Sequence, residues 1–362
     1  MNAPRREVLI MAGGTGGHIF PGLAVAESLR GRDIGVRWLG ARGGMECQKV
    51  PGAGIALDVV DISGLRGKGA GRWLLMPWIL LRAVFQAFRL MGRQRPGCAI
   101  SFGGYAAGPG GLAARLRGIP LLVHEQNRIP GLTNRVLAKL AARVLQAFPG
   151  TWGQEFRAET CGNPVRRPVA ALQAPATRMA ERKGAVHLLV TGGSQGARAL
   201  NQVVPAAAAR VQAELEMEIR HQAGKGRAEE AAEAYRAVGQ QAEVTEFIDD
   251  MAAAYAWADL VVCRAGALTV SELAAAGVAA VLVPFPHAVD DHQTRNAEFL
   301  VEAGGAVLLP ESRLDAATLA AALDLLVTNR GKLIDMAENA RSVAVPDSAD
   351  RVARLCEEYL SK

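Results

Sequence analysis

Between Ile62 and His124 the sequence has no Asp and no Glu, yet nine basic residues fall there: Arg66, Lys68, Arg72, Arg82, Arg89, Arg93, Arg95, Arg115 and Arg117. The 362-residue chain carries a formal charge of only +6, so the remainder nets −3 and the excess of positive charge belongs to one region. Such a one-sided field suits a single anionic partner. Nucleic acid is a poor match, because no recognised binding module accompanies the charge. Cysteines are few, odd in number (Cys47, Cys98, Cys161, Cys263, Cys356) and never spaced as CxxC, which reads as reduced thiols in a cytosolic protein. The N-terminus MNAPRREVLIMAGG passes straight into a strand and a glycine turn without the apolar run of a signal peptide. No stretch approaches the ~20 apolar residues that span a bilayer, so a soluble or peripheral protein is expected. His287 and His292 are five apart, Asp249 and Asp250 are adjacent, and no His/Asp/Glu set has ligand spacing, so neither a metal nor a cofactor is expected.

What is present is a globular composition, half hydrophobic and 21% charged, at a length natural for two domains. Apolar β-type runs alternate with helix-forming stretches along most of the chain, which predicts α/β folding with parallel, doubly wound sheets. The expected strands of the first half are Glu7 to Ala12, Val36 to Leu39, Ile55 to Val60, Cys98 to Ser101, Pro120 to His124 and one near Val144. Pro51 to Gly54 reads as a break and Gly103 to Gly111 as a loop. The pattern lapses from Pro164 to Lys183, then restarts at HLLVTGGSQGARALN, which echoes VLIMAGGTGGHIFPG. The expected division is 1–163, a linker 164–183, a second domain 184–345, and a closing helix within 346–362 that opens with an Asp/Ser cap and packs on the first domain.

The stretch DLVVCRAGALTVSELAAAG (Asp259 to Gly277) reads as strand, tight turn and helix opening. Unpaired first-turn amides and the helix dipole make such a turn a seat for phosphate oxygens. Glu272 stands about one turn in, where it would repel phosphate but suits two adjacent ribose hydroxyls, since a carboxylate only accepts. GGTGGH (Gly13 to His18) is not a dinucleotide fingerprint, because Ile19 stands where a glycine is needed, and it lacks the Lys of a phosphate-binding loop. It remains a turn that lets a ligand approach the backbone. His18, on the first helical turn, reads either as a general base near a bound sugar or as a structural histidine bonded to backbone. Gly192, Ser194 and Gly196 match the GxSxG elbow, which makes a serine hydrolase using Ser194 a rival; otherwise Ser194 and its loop bond a diphosphate. Arg166 and Arg198 are candidates for stabilising the charge of a departing diphosphate. Asp290, Asp291 and Gln293 open another helix, as caps or as readers of sugar hydroxyls. Trp73 to Arg89 combines two Trp, a nine-residue apolar run broken by Pro77, and flanking arginines. It suits a helix lying on an anionic membrane surface, where four basic residues at about 1 kcal/mol each give weak, reversible binding.

GGTGGHIFPGLAVA, ISGLRGKG, GGYAAGPGG, HEQN, GNPVR, GGSQGARALN, TEFIDDMAAAYAWAD and RAGALTVSE, in this order, closely resemble the bacterial peptidoglycan glycosyltransferase family that adds N-acetylglucosamine to lipid I to make lipid II. The resemblance covers nearly the whole chain. It implies a GT-B fold, two Rossmann-like doubly wound parallel-sheet domains facing a cleft, and a metal-independent inverting transfer from UDP-N-acetylglucosamine. It also implies peripheral attachment to the cytoplasmic face of the inner membrane, with lipid I and other cell-wall synthesis proteins as partners. By motif, Ala267, Leu268, Thr269, Val270, Ser271 and Glu272 would hold the donor, with Glu272 on the ribose and Ile248 on the uracil. Thr15, Gly16, Gly17, Asn127, Arg166, Ser194 and Gln293 would complete the donor site. His18 resembles the base, Glu125 would assist the acceptor or take the proton in its place, and Gly103, Gly104 and Tyr105 would face the acceptor's diphosphate. A UDP-sugar epimerase of the same fold is the alternative enzyme, and a nucleotide-sugar sensor without turnover the alternative binding protein.

Overall fold

The computed structural model describes residues 5–62, 70–180, 182–193, 196–212 and 216–360. Ser194, residues 63–69 of the ISGLRGKG stretch and the side chain of Trp73 lie outside the description. The chain forms two compact units, Met1–Arg166 with Pro346–Lys362, and Arg167–Val345.

Unit 1 runs β1 (Arg5–Ala12), α1 (Gly16–Arg30), β2 (Gly35–Ala41), α2 (Glu46–Gly52), β3 (Ala56–Val60), α3 (Ala70–Gln94), β4 (Pro96–Gly103), α4 (Ala107–Leu116), β5 (Leu121–Glu125), α5 (Leu132–Ala138), β6 (Arg143–Gln146) and β7 (Glu159–Thr160). Its sheet is parallel throughout, in the order β3-β2-β1-β4-β5-β6-β7. Helices cover both faces, so each central strand is apolar on both sides rather than alternating. Val8 and Ile10 of β1 join one core with Ile19, Val25 and Trp38, while Leu9 and Met11 join another with Leu39, Ala83 and Met91.

Unit 2 begins with two short helices, α6 (Arg167–Ala170) and α7 (Pro175–Met179), and continues β8 (Val186–Thr191), α8 (Arg198–Ala208), β9 (Met217–Gln222), α9 (Ala228–Ala237), β10 (Glu243–Thr245), α10 (Met251–Trp257), β11 (Leu260–Cys263), α11 (Ala267–Ala276), β12 (Ala279–Leu282), α12 (His292–Glu302), β13 (Ala306–Leu308), α13 (Ala316–Val327) and α14 (Arg330–Ser342). The sheet order is β10-β9-β8-β11-β12-β13, again all parallel. The last helix, α15 (Ser348–Glu357), belongs to unit 1, where Val352, Ala353 and Cys356 are buried beside Val8 and Ile10.

Four local expectations change. The break expected over Pro51 to Gly54 starts later, because Pro51 and Gly52 still belong to the last turn of the seven-residue helix α2 and the chain leaves it at Ala53. The loop expected over Gly103 to Gly111 is already helical from Ala107. The proline-rich stretch 164–183 is no free linker, because its second part packs in unit 2, where Arg178 donates to the carbonyls of Ala276 (2.8 Å) and Gly277 (2.6 Å). The Asp/Ser cap of α15 is absent: Asp347 takes Arg351 Nε instead (2.9 Å), and the Ser348 hydroxyl donates to the Asn163 carbonyl (2.8 Å).

Candidate active site

Parallel strands collect their following loops at one edge of the sheet, and a crevice opens where the strand order turns outward in both directions. In unit 1 that point lies between β1 and β4, which makes neighbours of two glycine turns far apart in sequence. The turns touch. Gly104, at φ +93°, has no room for a side chain, which would run into the Gly13 carbonyl. Gly14 is also left-handed, at φ +89°, a state that favours glycine. Thr15 precedes α1, and its carbonyl takes the N–H groups of His18 (3.1 Å) and Ile19 (3.2 Å). Gly16 and Gly17 supply first-turn amides, which have no acceptor within a helix.

His18 is half-buried, with Nδ1 3.2 Å from the Gly13 carbonyl oxygen and 3.4 Å from Thr15 Oγ1. A carbonyl only accepts, so the Gly13 bond calls for the proton on Nδ1, and in the neutral ring that leaves the lone pair on Nε2. That nitrogen faces Gly103, where a side-chain carbon would lie 3.4 Å from it.

A buried polar chain runs from Gly103 to Asn127. Ser101 Oγ accepts the Gly103 N–H (3.2 Å) and donates to Asn134 Oδ1 (2.9 Å); Asn134 Nδ2 donates to Glu125 Oε2 (2.9 Å) and to the His124 carbonyl (3.1 Å). Glu125 also accepts from Asn127 N (3.0 Å), Asn127 Nδ2 (3.1 Å) and Gly131 N (3.1 Å), so its buried carboxylate already receives four N–H groups. That set matches the roughly four acceptor sites of a carboxylate and ties Glu125 to the HEQN loop. Burial pushes His124 down to about 4 and keeps it neutral, with Nε2–H given to the Gly162 carbonyl (2.9 Å). Arg166 is half-buried, its guanidinium 5.6 Å from the centre of the Phe20 ring, and that ring lies against Gly16. Tyr105 is 48% exposed.

In unit 2 the strand order turns between β8 and β11, beside the GGSQGAR and RAG turns. No side chain caps α11 at Gly266, and its first internal bond is Val270 N to the Gly266 carbonyl (2.9 Å), so the amides of Ala267, Leu268 and Thr269 have no acceptor in the helix. Glu272 is 3% exposed, with Oε2 3.4 Å from the Tyr255 hydroxyl. Of the expected donor residues, Val270 is fully buried and Ser271 spends its hydroxyl proton on the Ala267 carbonyl (2.8 Å). Gln293 accepts the Phe285 N–H (2.9 Å), which leaves its NH₂ as the end it can offer a ligand. Asp291 takes the Thr294 hydroxyl (2.7 Å) and no N–H of α12, so the expected cap is a side-chain clasp. Arg198 is exposed at the start of α8, and Ile248 is half-buried between β10 and α10.

Several residues of these sites were given no role by the sequence: Glu46, Ser101 and Asn134 in unit 1, and, inside quoted motifs, Tyr255 and Arg264 in unit 2. Arg264 donates to the carbonyls of Val283 and Pro284 (both 3.2 Å) and pairs with Glu311, which stitches the β11 turn to the loop after β12. Each bonds a partner from another element, which its own flanks do not name.

Known proteins match this architecture. The model of the glycosyltransferase family 28 N-terminal domain matches residues 8–146, and that of the C-terminal domain residues 187–352. The UDP-N-acetylglucosamine--N-acetylmuramyl-(pentapeptide) pyrophosphoryl-undecaprenol N-acetylglucosamine transferase of Aeromonas hydrophila is 54% identical over 352 residues, 97% of this chain and 96% of that protein. The transferase of the same name from Xanthomonas campestris is 56% identical over 348 residues, 96% of this chain and 81% of that protein. The crystal structure of Acinetobacter baumannii MurG superposes with a TM-score of 0.85 at 40% identity, covering 98% of this chain and 100% of that one. The chain therefore belongs to glycosyltransferase family 28, and within it to the N-acetylglucosamine transferases that these relatives represent.

Proposed function

We propose that the chain transfers N-acetylglucosamine from UDP-N-acetylglucosamine to the C4 hydroxyl of the N-acetylmuramoyl unit of lipid I, giving lipid II with inversion at the anomeric carbon. The acceptor hydroxyl attacks as UDP leaves, and its proton passes to Nε2 of His18. The observation that carries this assignment is the His18 ring itself, held through Nδ1 by the Gly13 carbonyl with Nε2 turned to the Gly103 turn. Glu125 suits the task less, because its carboxylate already receives four N–H groups. In unit 2 the open amides of Ala267 to Thr269 suit the charge that develops on the departing diphosphate, and Glu272 reads the ribose.

The membrane is the second partner in this proposal. Among the described residues no helix is long and apolar enough to cross one. Yet α3 exposes Leu75, Trp78, Leu81 and Phe85, with Trp78 74% accessible, and Arg82 and Arg89 stand on the same helix. An exposed apolar face with arginines suits a surface-lying helix and an acceptor whose tail stays in the bilayer.

Radiolabelled UDP-N-acetylglucosamine with a short-chain lipid I analogue, in chelator and without added metal, tests the reaction. Label moving into the lipid supports it; release of free sugar without acceptor would point to the disfavoured epimerase, and binding without turnover would reduce the chain to a sensor.

A further inference from the structure

Glu46 is the one acid in the run ARGGMEC, and it is fully buried. Its Oε1 accepts the Ala41 N–H (2.9 Å) at the end of β2, and its Oε2 accepts the Gly14 N–H (3.1 Å). Gly13, Gly40 and Gly44 wall the carboxylate in, and a side chain on any of them would collide with it. Burying a carboxylate costs several kcal/mol unless hydrogen bonds compensate, so an apolar side chain of similar size would serve packing alone at least as well.

The Gly14 N–H that Glu46 holds and the Gly13 carbonyl that His18 faces belong to one peptide unit. In a trans peptide these two groups point in opposite directions. Fixing the N–H on Glu46 therefore aims the carbonyl at His18 Nδ1. Gly13 and Gly14 have no side chains of their own to fix that plane. Were the peptide to flip, its N–H would meet His18 and its carbonyl would meet the carboxylate. The imidazole would then accept at Nδ1 and carry its proton on Nε2, where it could no longer take one from a hydroxyl.

We infer that Glu46 is a positioning residue for the transfer, acting through the Gly13–Gly14 peptide to hold His18 in the tautomer whose Nε2 can accept a proton. The relay is Glu46 carboxylate, Gly14 N–H, Gly13 carbonyl, His18 Nδ1–H. It rests on His18 as the base, but its geometry can be tested apart from that reading.

The test combines nitrogen-15 spectra of histidine-labelled enzyme with kinetics. The chain has six histidines, and the signals lost in His18→Gln identify the one of interest. Wild-type enzyme should show His18 protonated on Nδ1 and bare on Nε2. Glu46→Met, which offers neither amide an acceptor, should shift His18 toward the Nε2–H form. It should lower kcat by about 10- to 100-fold with little change in donor KM. Glu46→Gln, with one acceptor oxygen for two amides, should fall between and serves if the Met variant fails to fold. In a His18→Ala background neither change should lower kcat further. An Nε2–H His18 in the wild type, an unchanged tautomer in a folded variant, or an additional kcat loss without His18 would each overturn the inference. Full turnover by His18→Ala would instead remove the base assignment, while the tautomer spectra would still decide the relay.

Discussion

The hydroxyl of Tyr255 lies 3.4 Å from Oε2 of Glu272, which brings an aromatic from α10 to the acid of α11 in the interior of unit 2. The contact holds an acceptor-only group in place before any nucleoside arrives. Glu272→Gln keeps the volume but replaces one acceptor oxygen with a donor, and a lost bond to a charged group costs roughly 1.5–3 kcal/mol. Donor KM should rise at least about tenfold with a smaller change in kcat. Tyr255→Phe should raise it less. Unchanged donor KM in a folded Glu272→Gln would remove the ribose assignment.

His18 and Glu125 separate cleanly by experiment. His18→Ala should cut kcat by about 10²- to 10⁴-fold with UDP binding intact. Glu125→Gln should act first on stability, because an amide cannot accept the four N–H groups that the carboxylate now receives. A lower Tm with kcat reduced only moderately is the expected outcome. Collapse of kcat at unchanged Tm would restore Glu125 as the base.

Acid should destabilise the protein in a defined window. Burial pushes both His124 and His221 from 6.5 down to about 4, and His221 is neutral between the Tyr235 hydroxyl and Asn201 Oδ1, each at 3.0 Å. The unfolded chain takes up these protons near 6.5 and the folded chain does not, so the unfolded state binds more protons between the two values. Their contribution is complete above about 6.5 and is lost as pH falls toward 4, on the order of 3 kcal/mol per histidine. Urea midpoints measured from pH 7.5 to 4.5 should fall, and His221→Gln should flatten the slope. A midpoint independent of pH across this range would contradict the buried neutral state.

The exposed face of α3 makes a separate forecast. Trp78→Glu with Leu81→Glu should reduce flotation with anionic vesicles and slow turnover of a long-chain acceptor in those vesicles. Turnover of a soluble short-chain analogue should be kept, since both side chains are exposed and support no core. Equal losses on both acceptors would place these residues in the site rather than at the membrane.

The α/β alternation, both glycine turns of unit 1 and the RAG turn of unit 2 are legible from one sequence because each is a local pattern. An apolar run such as Val8 to Met11, a turn that needs Gly14, and a helix opening at Ala267 are all written in consecutive residues. The sequence by itself also settled the family resemblance, the charge asymmetry before His124 and the candidacy of His18 and Glu272. Only the tertiary structure decided that strand order brings Gly13 against Gly104, that Glu125 is saturated by Asn127, Gly131 and Asn134, and that Glu46 reaches the Gly14 amide. The reason is physical. A hydrogen bond between side chain and distant backbone depends on which strands pair, and parallel pairing joins segments whose own residues carry no trace of the partner they will meet.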